Sequence, residues 1–301
     1  MAQCPPIIAL PRPVATSTAS RFPPIRMTDR TDASLVAAAE AALRASTERT
    51  VLVEHGGQRY VAKRIAKRPR RLVQALFVRW LARRVTGQSL PMRTLLLADA
   101  VSGVDYEAQR LASLALAGVR VPRVVHHAAT YLLLEHCGET VASAIDRWSI
   151  EARRVELERL ADELGAFHRA GQWHGAAQIK NLTTSQGRTW RIDFEEDFGE
   201  QVPLPAAQAL DVALFLNSIS LTGPIAEAEA RTLLPDLLRG YLEANPDRRV
   251  REALARALPW ARRLARLAAP FKGGSVGGRP RKGIARLVIL VEALSSVLPG
   301  R

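Results

Sequence analysis

Two short strands joined by a tight turn constrain this chain more than any other feature. Residues 182–184 and 188–192 have the composition of strands, and Ser185-Gln186-Gly187 between them has that of a turn. Asn181 precedes the first strand and Asp193 follows the second, so a hairpin would place both side chains at its open end. The segment alone leaves a second interpretation open, an ordinary surface hairpin in which Asn181 and Asp193 serve only as turn residues.

Length and charge limit the class of protein. With 301 residues, 48% of them hydrophobic, the chain can bury the core of one two-lobed domain or of two small domains. The formal net charge of +14 favours an anionic partner, such as a nucleotide, a phosphorylated sugar, an anionic lipid or a nucleic acid. Aromatic residues make up only 5% of the chain and no nucleic-acid reader motif is present, which argues against nucleic acid.

The cysteines and the apolar runs indicate a reducing compartment. Cys4 and Cys137 are too few for a disulfide framework, and no Cys/His cluster has the spacing of a zinc site. The apolar run 287–291 is far shorter than the roughly 18 to 20 residues that span a bilayer. The proline-rich residues 1–30 predict a disordered tail, with a transit peptide as the alternative. We therefore expect a cytoplasmic protein.

The first elements are a helix and a hairpin. Residues 32–46 carry alanine and leucine at helical spacing behind Asp32 as the cap. Residues 50–54 and 58–64 are strand-like, and His55-Gly56-Gly57 between them has the composition of a hairpin turn. The N-terminal part thus predicts a small antiparallel sheet.

Residues 68–85 predict a basic amphipathic helix. Leucine, valine, phenylalanine and tryptophan form an apolar stripe, while the basic residues between Lys67 and Arg84 are not offset by a single acid. Such a helix can lie on an anionic membrane surface. The alternative is a helix that packs between lobes and exposes its arginines to solvent.

The later segments are predominantly helical. Residues 106–111 belong to a predicted helix that Ser102 or Asp105 caps and Gly118 ends. The glycine-rich run 273–278 lacks the Gly-Lys-Ser/Thr of a phosphate loop, so we interpret it as a flexible connector. The other predicted elements are strands 123–127 and 130–135, a helix at 151–170, a helix opened by 210–213 and further helices within 224–298.

The order of these elements resembles the protein-kinase-like fold over about residues 48–220. Within that fold the chain most resembles bacterial lipopolysaccharide-core and 3-deoxy-manno-octulosonate kinases, with aminoglycoside phosphotransferases, RIO and Bud32-type kinases as cousins. The matching positions are Lys63, Glu107, the hinge 132–139, His174, Asn181, Asp193 and Asp211. The resemblance implies a bilobal α+β fold, with a small antiparallel-sheet N-lobe at 31–136 and a larger helical C-lobe at 137–301. The C-lobe would hold the catalytic loop 173–181 and the metal hairpin 182–195.

The resemblance also implies an ATP site between the lobes. Lys63 would bind the α- and β-phosphates of ATP, and Glu107 would orient Lys63 by pairing with it. Glu135 and Cys137 lie in the hinge, whose backbone groups would hold the adenine. ATP is therefore the expected cofactor.

The catalytic loop and the hairpin would complete the site. His174 would open the loop, Gln178 would orient the acceptor hydroxyl, and Asp211 would bind the loop backbone from below. Asn181 and Asp193 would ligate Mg²⁺, because amide and carboxylate oxygens are the hard ligands that this ion prefers. Asp193 is thus expected to act in catalysis as well as in metal and cofactor binding.

Two positions depart from the family pattern. The catalytic loop should carry an aspartate where this chain has Ala176, and loss of such a general base costs roughly 10²- to 10⁴-fold in rate. Glu195 or Asp197 would then have to serve as the base. A phosphate-covering glycine loop is expected before Thr50, yet residues 31–55 contain no glycine.

Three functional hypotheses follow. The first is an ATP- and Mg²⁺-dependent phosphotransferase that acts on a hydroxyl of a lipid-linked sugar, another small molecule or a protein. The second is a catalytically impaired pseudokinase that serves as a nucleotide-binding or scaffolding module. The third is a basic nucleic-acid-binding protein. The first predicts a cytoplasmic location, with peripheral contact at the inner face of the membrane.

Overall fold

Two lobes of unequal size form the molecule, a smaller one built on an antiparallel sheet and a larger one built mainly of helices. The computed structural model describes residues 32–64, 79, 83, 100–271, 275–276, 279–280 and 282–298. The predicted bilobal α+β fold is confirmed. The boundary at residue 137 stays a prediction.

Several predicted features fall outside the described part of the chain. These are the tail 1–30, the basic helix 68–85 except for Arg79 and Arg83, and most of the glycine-rich run 273–278. Among the helices that are described, none has the length and hydrophobicity needed to cross a bilayer.

Within its described residues, the N-terminal lobe contains a four-stranded sheet and two helices. Its elements are α1 (Ala33–Ala45), β1 (Thr50–His55), β2 (Gln58–Arg64), α2 (Ala100–Leu116), β3 (Val124–His127) and β4 (Tyr131–Glu135). The strands are antiparallel in the order β1-β2-β4-β3. Gly56 and Gly57 form the β1–β2 turn with φ angles of 56° and 74°, which glycine adopts without a Cβ clash.

Helix α1 covers one face of this sheet. Asp32 caps the helix by accepting a hydrogen bond from the Ser34 backbone N–H at 2.9 Å, as predicted. The buried residues at the contact are Leu35, Ala39 and Leu43 of α1 and Val53, Ala62, Tyr131 and Leu133 of the sheet. Successive side chains of a strand point to opposite faces, so Lys63, which follows Ala62, points away from α1 and toward the rest of the molecule.

Helix α2 extends further toward its N-terminus than the sequence suggested. Ser102 and Asp105 lie inside the helix and are not its cap, so that prediction was wrong. Asp105 Oδ1 instead lies 3.0 Å from His127 Nε2, a tertiary contact that a capping pattern cannot reveal. The predicted stop is confirmed, because Gly118 adopts a φ of 77° directly after the helix.

The C-terminal lobe contains six helices and two small sheets within its described residues. Its elements are β5 (Glu139–Thr140), α3 (Val141–Ala144), α4 (Ile150–Arg169), β6 (Leu182–Ser185), β7 (Arg188–Arg191), α5 (Leu204–Ile219), α6 (Glu227–Ala244), α7 (Arg248–Ala268), β8 (Ser275–Val276), β9 (Arg279–Pro280) and α8 (Lys282–Val297). Helix α5 begins at Leu204 and not near Leu210, which corrects the predicted start. Pro205 fits its first turn because the missing N–H is not needed there.

Helices α4 and α6 form the centre of this lobe. A Cβ at Gly165 would lie 2.5 Å from the Cβ of Ala244, so glycine allows the helices to approach closely. Arg153 donates two hydrogen bonds of 2.9 Å to Glu229 across the contact. This packing fixes the C-terminal end of α4, where His168 lies next to the candidate site.

Candidate active site

A buried ion pair joins the sheet to helix α2. Lys63 Nζ donates to both carboxylate oxygens of Glu107, at 2.7 and 2.8 Å. The Glu107 side chain is only 2% exposed and that of Lys63 only 8% exposed, so each charge depends on the other for its solvation. The pair predicted from the order of these residues is therefore formed.

Lys63 also reaches the hairpin of the C-terminal lobe. Its Nζ lies 2.5 Å from Asp193 Oδ1 and 3.6 Å from Glu195 Oε2. Burial alone would lower the pKa of Lys63, but Glu107, Asp193 and Glu195 raise it above its ordinary value, and the amine stays charged. Burial alone would raise the pKa of Asp193, but Lys63 keeps it below its ordinary value.

The predicted hairpin is present with a slightly different turn. Strands β6 and β7 pair from Leu182–Arg191 to Ser185–Arg188, so the turn is Gln186-Gly187 and Ser185 belongs to the strand. The Ile192 N–H donates to the Asn181 carbonyl at 3.0 Å and closes the open end of the hairpin. Asn181 and Asp193 thus flank the same end, as predicted. Asp193 has a φ of 68°, which costs a non-glycine residue about 1 kcal/mol and is typical of functional positions.

The donor atoms at this end suit a hard divalent cation. Asn181 Nδ2 donates to the Ala176 carbonyl at 2.8 Å, so Oδ1 is the branch of the amide left to act as a ligand. The described residues hold no group of three or more His, Cys, Asp or Glu side chains that would cage a metal. One amide and one carboxylate fit Mg²⁺, which usually takes its other ligands from water and phosphate.

Asp211 organises the catalytic loop from beneath. It accepts the backbone N–H groups of His174 at 2.6 Å and of Gly175 at 2.8 Å, and it is fully buried. Burial alone would raise its pKa, but the adjacent His168 ring and the backbone hydrogen bond from His174 lower it below the ordinary value. His168 lies 3.4 Å away and shares a 2.8 Å hydrogen bond with the Tyr241 hydroxyl. The loop is therefore anchored to the helical core.

His174 is a positioning residue in this structure. Its Nδ1 accepts the Ala176 N–H at 3.2 Å, and its ring stacks on Phe194 with a centroid distance of 4.2 Å. Burial lowers its pKa to about 4, so the ring is neutral at pH 7. The side chain links the loop to the hairpin, and its burial keeps it from touching a substrate.

The base candidates differ in their surroundings. Ala176 is half-buried and offers no proton acceptor, and Gln178 is also half-buried. Glu195 receives both Nη groups of Arg49, so its carboxylate is held in an ion pair and is a poor candidate for the general base. Asp197 is exposed.

The hinge passes close to the hairpin. Thr183 Oγ1 donates to the Cys137 carbonyl at 2.9 Å, and a Cβ at Gly138 would lie 2.4 Å from the Thr184 carbonyl oxygen. Burial raises the pKa of the Cys137 thiol to about 12, so the residue is chemically inert. Glu135 ends β4, three residues beyond the partner of Lys63 across the sheet, or about 10 Å along the strand. The hinge therefore begins about 10 Å along the sheet from the position of Lys63.

Two contacts at the site escaped prediction. Arg110 donates to the Trp173 carbonyl at 2.9 Å and places its guanidinium 5.0 Å from the centre of the Trp173 ring. Its spacing of three residues from Glu107 puts both on one helix face, a signal that was available in the sequence. Arg49 and Glu195 are 146 positions apart, and no local pattern connects them.

No family model and no curated protein matches the chain. Several solved structures are similar to it. WaaP in complex with acyl carrier protein is 20% identical, over 74% of this chain and 86% of that one, with a TM-score of 0.41. The ADP-bound aminoglycoside phosphotransferase APH(2'')-Ib is 12% identical, over 83% of this chain and 92% of that one, with a TM-score of 0.34. The Lys63–Glu107 pair, the loop held by Asp211 and the Asp193 hairpin have the arrangement that the resemblance to the protein-kinase-like fold implies.

Proposed function

We propose that this chain is an ATP- and Mg²⁺-dependent phosphotransferase that phosphorylates a hydroxyl of a lipid-linked sugar, another small molecule or a protein. The observation that carries the proposal is the position of Lys63, held between Glu107 of one lobe and Asp193 of the other. A charged lysine surrounded by carboxylates is suited to binding phosphate close to a metal.

The charges around Lys63 favour binding of a metal-bound nucleotide. Lys63 and Arg49 are surrounded by Glu107, Asp193 and Glu195, so carboxylates exceed cations by one. A bare triphosphate would be repelled by this excess, whereas a divalent cation would be attracted. The site therefore favours ATP that arrives with Mg²⁺.

Each site residue has a proposed task. Bound Mg²⁺ would neutralise charge on the β- and γ-phosphates, with Asn181 and Asp193 as its protein ligands. Lys63 would hold the α- and β-phosphates while Glu107 keeps it oriented. The adenine would lie against the hinge backbone between Glu135 and Cys137.

The acceptor would be oriented without the usual aspartate. Gln178 would hydrogen-bond the acceptor hydroxyl, and Asp197 is the remaining candidate to take its proton. Phosphoryl transfer passes through a loose transition state that depends mainly on positioning and charge, so a weak base is tolerated better than in most reactions.

Ala176 is the specific observation that favours a pseudokinase. Its methyl group replaces the carboxylate that would orient and deprotonate an acceptor. A pseudokinase of this kind would keep nucleotide binding through Lys63 and Asp193 and serve as a nucleotide-binding or scaffolding module.

Helix α7 supports a peripheral contact with an anionic membrane. Leu267 is exposed, and Trp260, seven residues earlier on the same side of the helix, is half-buried. Glu252 is the single acidic residue of the helix. This face spans the length of the helix and suits a planar anionic surface. Its arginines are Arg248, Arg249, Arg251, Arg256, Arg262, Arg263 and Arg266. We accordingly propose a cytoplasmic protein that acts at the inner face of the membrane.

Transfer of labelled γ-phosphate separates the two functions. Wild-type protein should pass label from ATP to a hydroxyl acceptor, with lipid-linked sugars, small polyols and serine-containing proteins as the classes to test. Asp193→Asn should abolish transfer, because it removes the charge that holds the metal. Label transfer that persists undiminished in Asp193→Asn contradicts the metal site, and ATP binding without transfer to any class supports the pseudokinase.

A further inference from the structure

We propose that Arg49 binds the terminal phosphates of the nucleotide and that Glu195 holds this arginine in place until the nucleotide arrives. The inference rests on the proposed function, because it assigns one more residue to the same site. It begins with the position of Arg49, which precedes strand β1 directly.

Arg49 is anchored beside the phosphate-binding lysine. The Arg64 N–H donates to the Arg49 carbonyl at 2.8 Å, and Arg49 Nε donates to the Arg64 carbonyl at 3.2 Å. Arg64 follows Lys63 in strand β2. These two hydrogen bonds fix the backbone and the guanidinium of Arg49 next to Lys63 without using its two terminal nitrogens.

The two terminal nitrogens of Arg49 bind the Glu195 carboxylate in a geometry that a phosphate group could also adopt. Arg49 Nη1 donates to Glu195 Oε1 at 3.1 Å, and Nη2 pairs with Oε2. The same Glu195 oxygen lies 3.6 Å from Lys63 Nζ, so both cations converge on one anionic position. A planar guanidinium binds carboxylate and phosphate with the same two-pronged geometry. Both side chains are about 30% exposed, which leaves the pair open to an incoming ligand.

The sequence explains why an arginine is needed here. Residues 31–55 contain no glycine, so the loop that would bind phosphate through backbone N–H groups is missing. Helix α1 takes up that part of the chain, and its backbone N–H groups serve the helix. Arg49 is the cation at the end of this segment, and its guanidinium and Lys63 Nζ both lie beside Glu195 Oε2.

If phosphate replaces Glu195 as the partner of Arg49, substitutions of Arg49 and Glu195 should have opposite effects on MgATP affinity. Arg49→Gln removes a charged donor to phosphate and should weaken MgATP binding roughly 10- to 100-fold. Glu195→Gln frees the guanidinium and removes a negative charge from the site, so it should strengthen MgATP binding. Neither change should alter the affinity for adenosine, which has no phosphate.

The test is a calorimetric titration of MgATP, MgADP and adenosine into four proteins. These are the wild type, Arg49→Gln, Glu195→Gln and Arg59→Gln as the control. Arg59 pairs with Glu54 at 3.0 Å on the same hairpin but is largely exposed, so its loss should leave all three affinities unchanged. Opposite shifts at Arg49 and Glu195, larger for MgATP than for MgADP, would support the exchange.

Two results would overturn it. If wild type binds MgATP and Arg49→Gln binds it as tightly, Arg49 makes no phosphate contact and the proposed function stands without it. If Glu195→Gln weakens MgATP binding as much as Arg49→Gln does, the Arg49–Glu195 ion pair only stabilises the contact between the lobes. A wild type that binds no nucleotide refutes the proposed function and this inference together.

Discussion

At the residue scale, Lys63 and Glu107 depend on each other for the compensation of their buried charges. Lys63→Met would leave the buried Glu107 carboxylate without its cation, and breaking such a pair costs about 3 to 5 kcal/mol in the free energy of unfolding. Lys63→Met combined with Glu107→Leu should recover much of this loss, because the fully buried carboxylate is removed together with its cation and only the part-exposed Asp193 carboxylate then lacks its lysine. Denaturant unfolding measures both, and equal losses in the single and double variants would show that the pair is not coupled.

His174 should make the protein sensitive to mild acid. Its folded pKa of about 4 lies below the ordinary value of 6.5, so the unfolded chain takes up a proton first as the pH falls. The contribution of His174 should therefore lower the free energy of unfolding by up to about 3 kcal/mol between pH 6.5 and 4. The pKa of His168 is also lowered by burial and adds to the same trend.

Unfolding of His174→Asn across this pH range isolates the contribution of His174. Asparagine offers an acceptor to the Ala176 N–H but does not titrate, so the decrease should shrink and the remainder belongs to His168. An unchanged pH profile in His174→Asn would mean that His174 is protonated equally in both states.

At the element scale, the packing of the hinge against the hairpin should be disrupted by one added methyl group at Gly138. Gly138→Ala combines a φ of 98° with a Cβ only 2.4 Å from the Thr184 carbonyl oxygen, so the hinge must move. We expect a loss of about 2 to 4 kcal/mol in the free energy of unfolding and weaker binding of adenosine. Gly118→Ala is the matched control, since its φ of 77° is similar and nothing lies within 4 Å.

That control should lose only about 1 kcal/mol and bind adenosine normally. Thermal unfolding and adenosine titration of both variants test the comparison. Equal losses would mean that the close approach of the hinge to β6 has no energetic role.

The sequence predicted which helices and strands form better than it predicted where they begin and end. Contacts between residues far apart in the sequence were the least predictable. The hairpin around Gln186-Gly187 was predicted because strand composition and turn residues are local signals. The start of α2 was not, because Asp105 resembles a cap but pairs with His127. The cluster at Lys63 followed from the order of motifs, whereas the Arg49–Glu195 pair joins residues 146 positions apart and leaves no local trace.

At the scale of the whole molecule, the basic face of α7 predicts salt-sensitive binding to anionic vesicles. Arg251, Arg263 and Arg266 are exposed and have no ion-pair partner among the described residues, so their charges are available to a lipid surface. The guanidinium of Arg263 also lies 5.0 Å from the centre of the Trp260 ring. Replacing all three by Gln should weaken vesicle binding by roughly 1 kcal/mol per charge at low salt. Co-sedimentation with neutral and anionic vesicles measures the effect.

The matched control replaces Arg154 and Arg231, which already pair with acids elsewhere in the lobe. This variant should bind vesicles nearly as well as wild type. Equal partitioning of wild type onto neutral and anionic vesicles would leave α7 as an ordinary solvated helix.

In the proposed site, Asn181 and Asp193 bind a metal that Lys63 and its neighbours need in order to accept ATP. Ligand binding to the folded state stabilises it by RT ln(1 + [L]/Kd), or about 2.7 kcal/mol when the ligand exceeds its Kd 100-fold. The most direct measurement is the melting temperature of wild type and Asp193→Asn with ATP, with Mg²⁺ and with both. We predict that ATP raises the melting temperature of wild type only when Mg²⁺ is present, and that Asp193→Asn loses this increase. No increase in wild type with millimolar ATP and Mg²⁺, or the same increase in Asp193→Asn, would contradict the account.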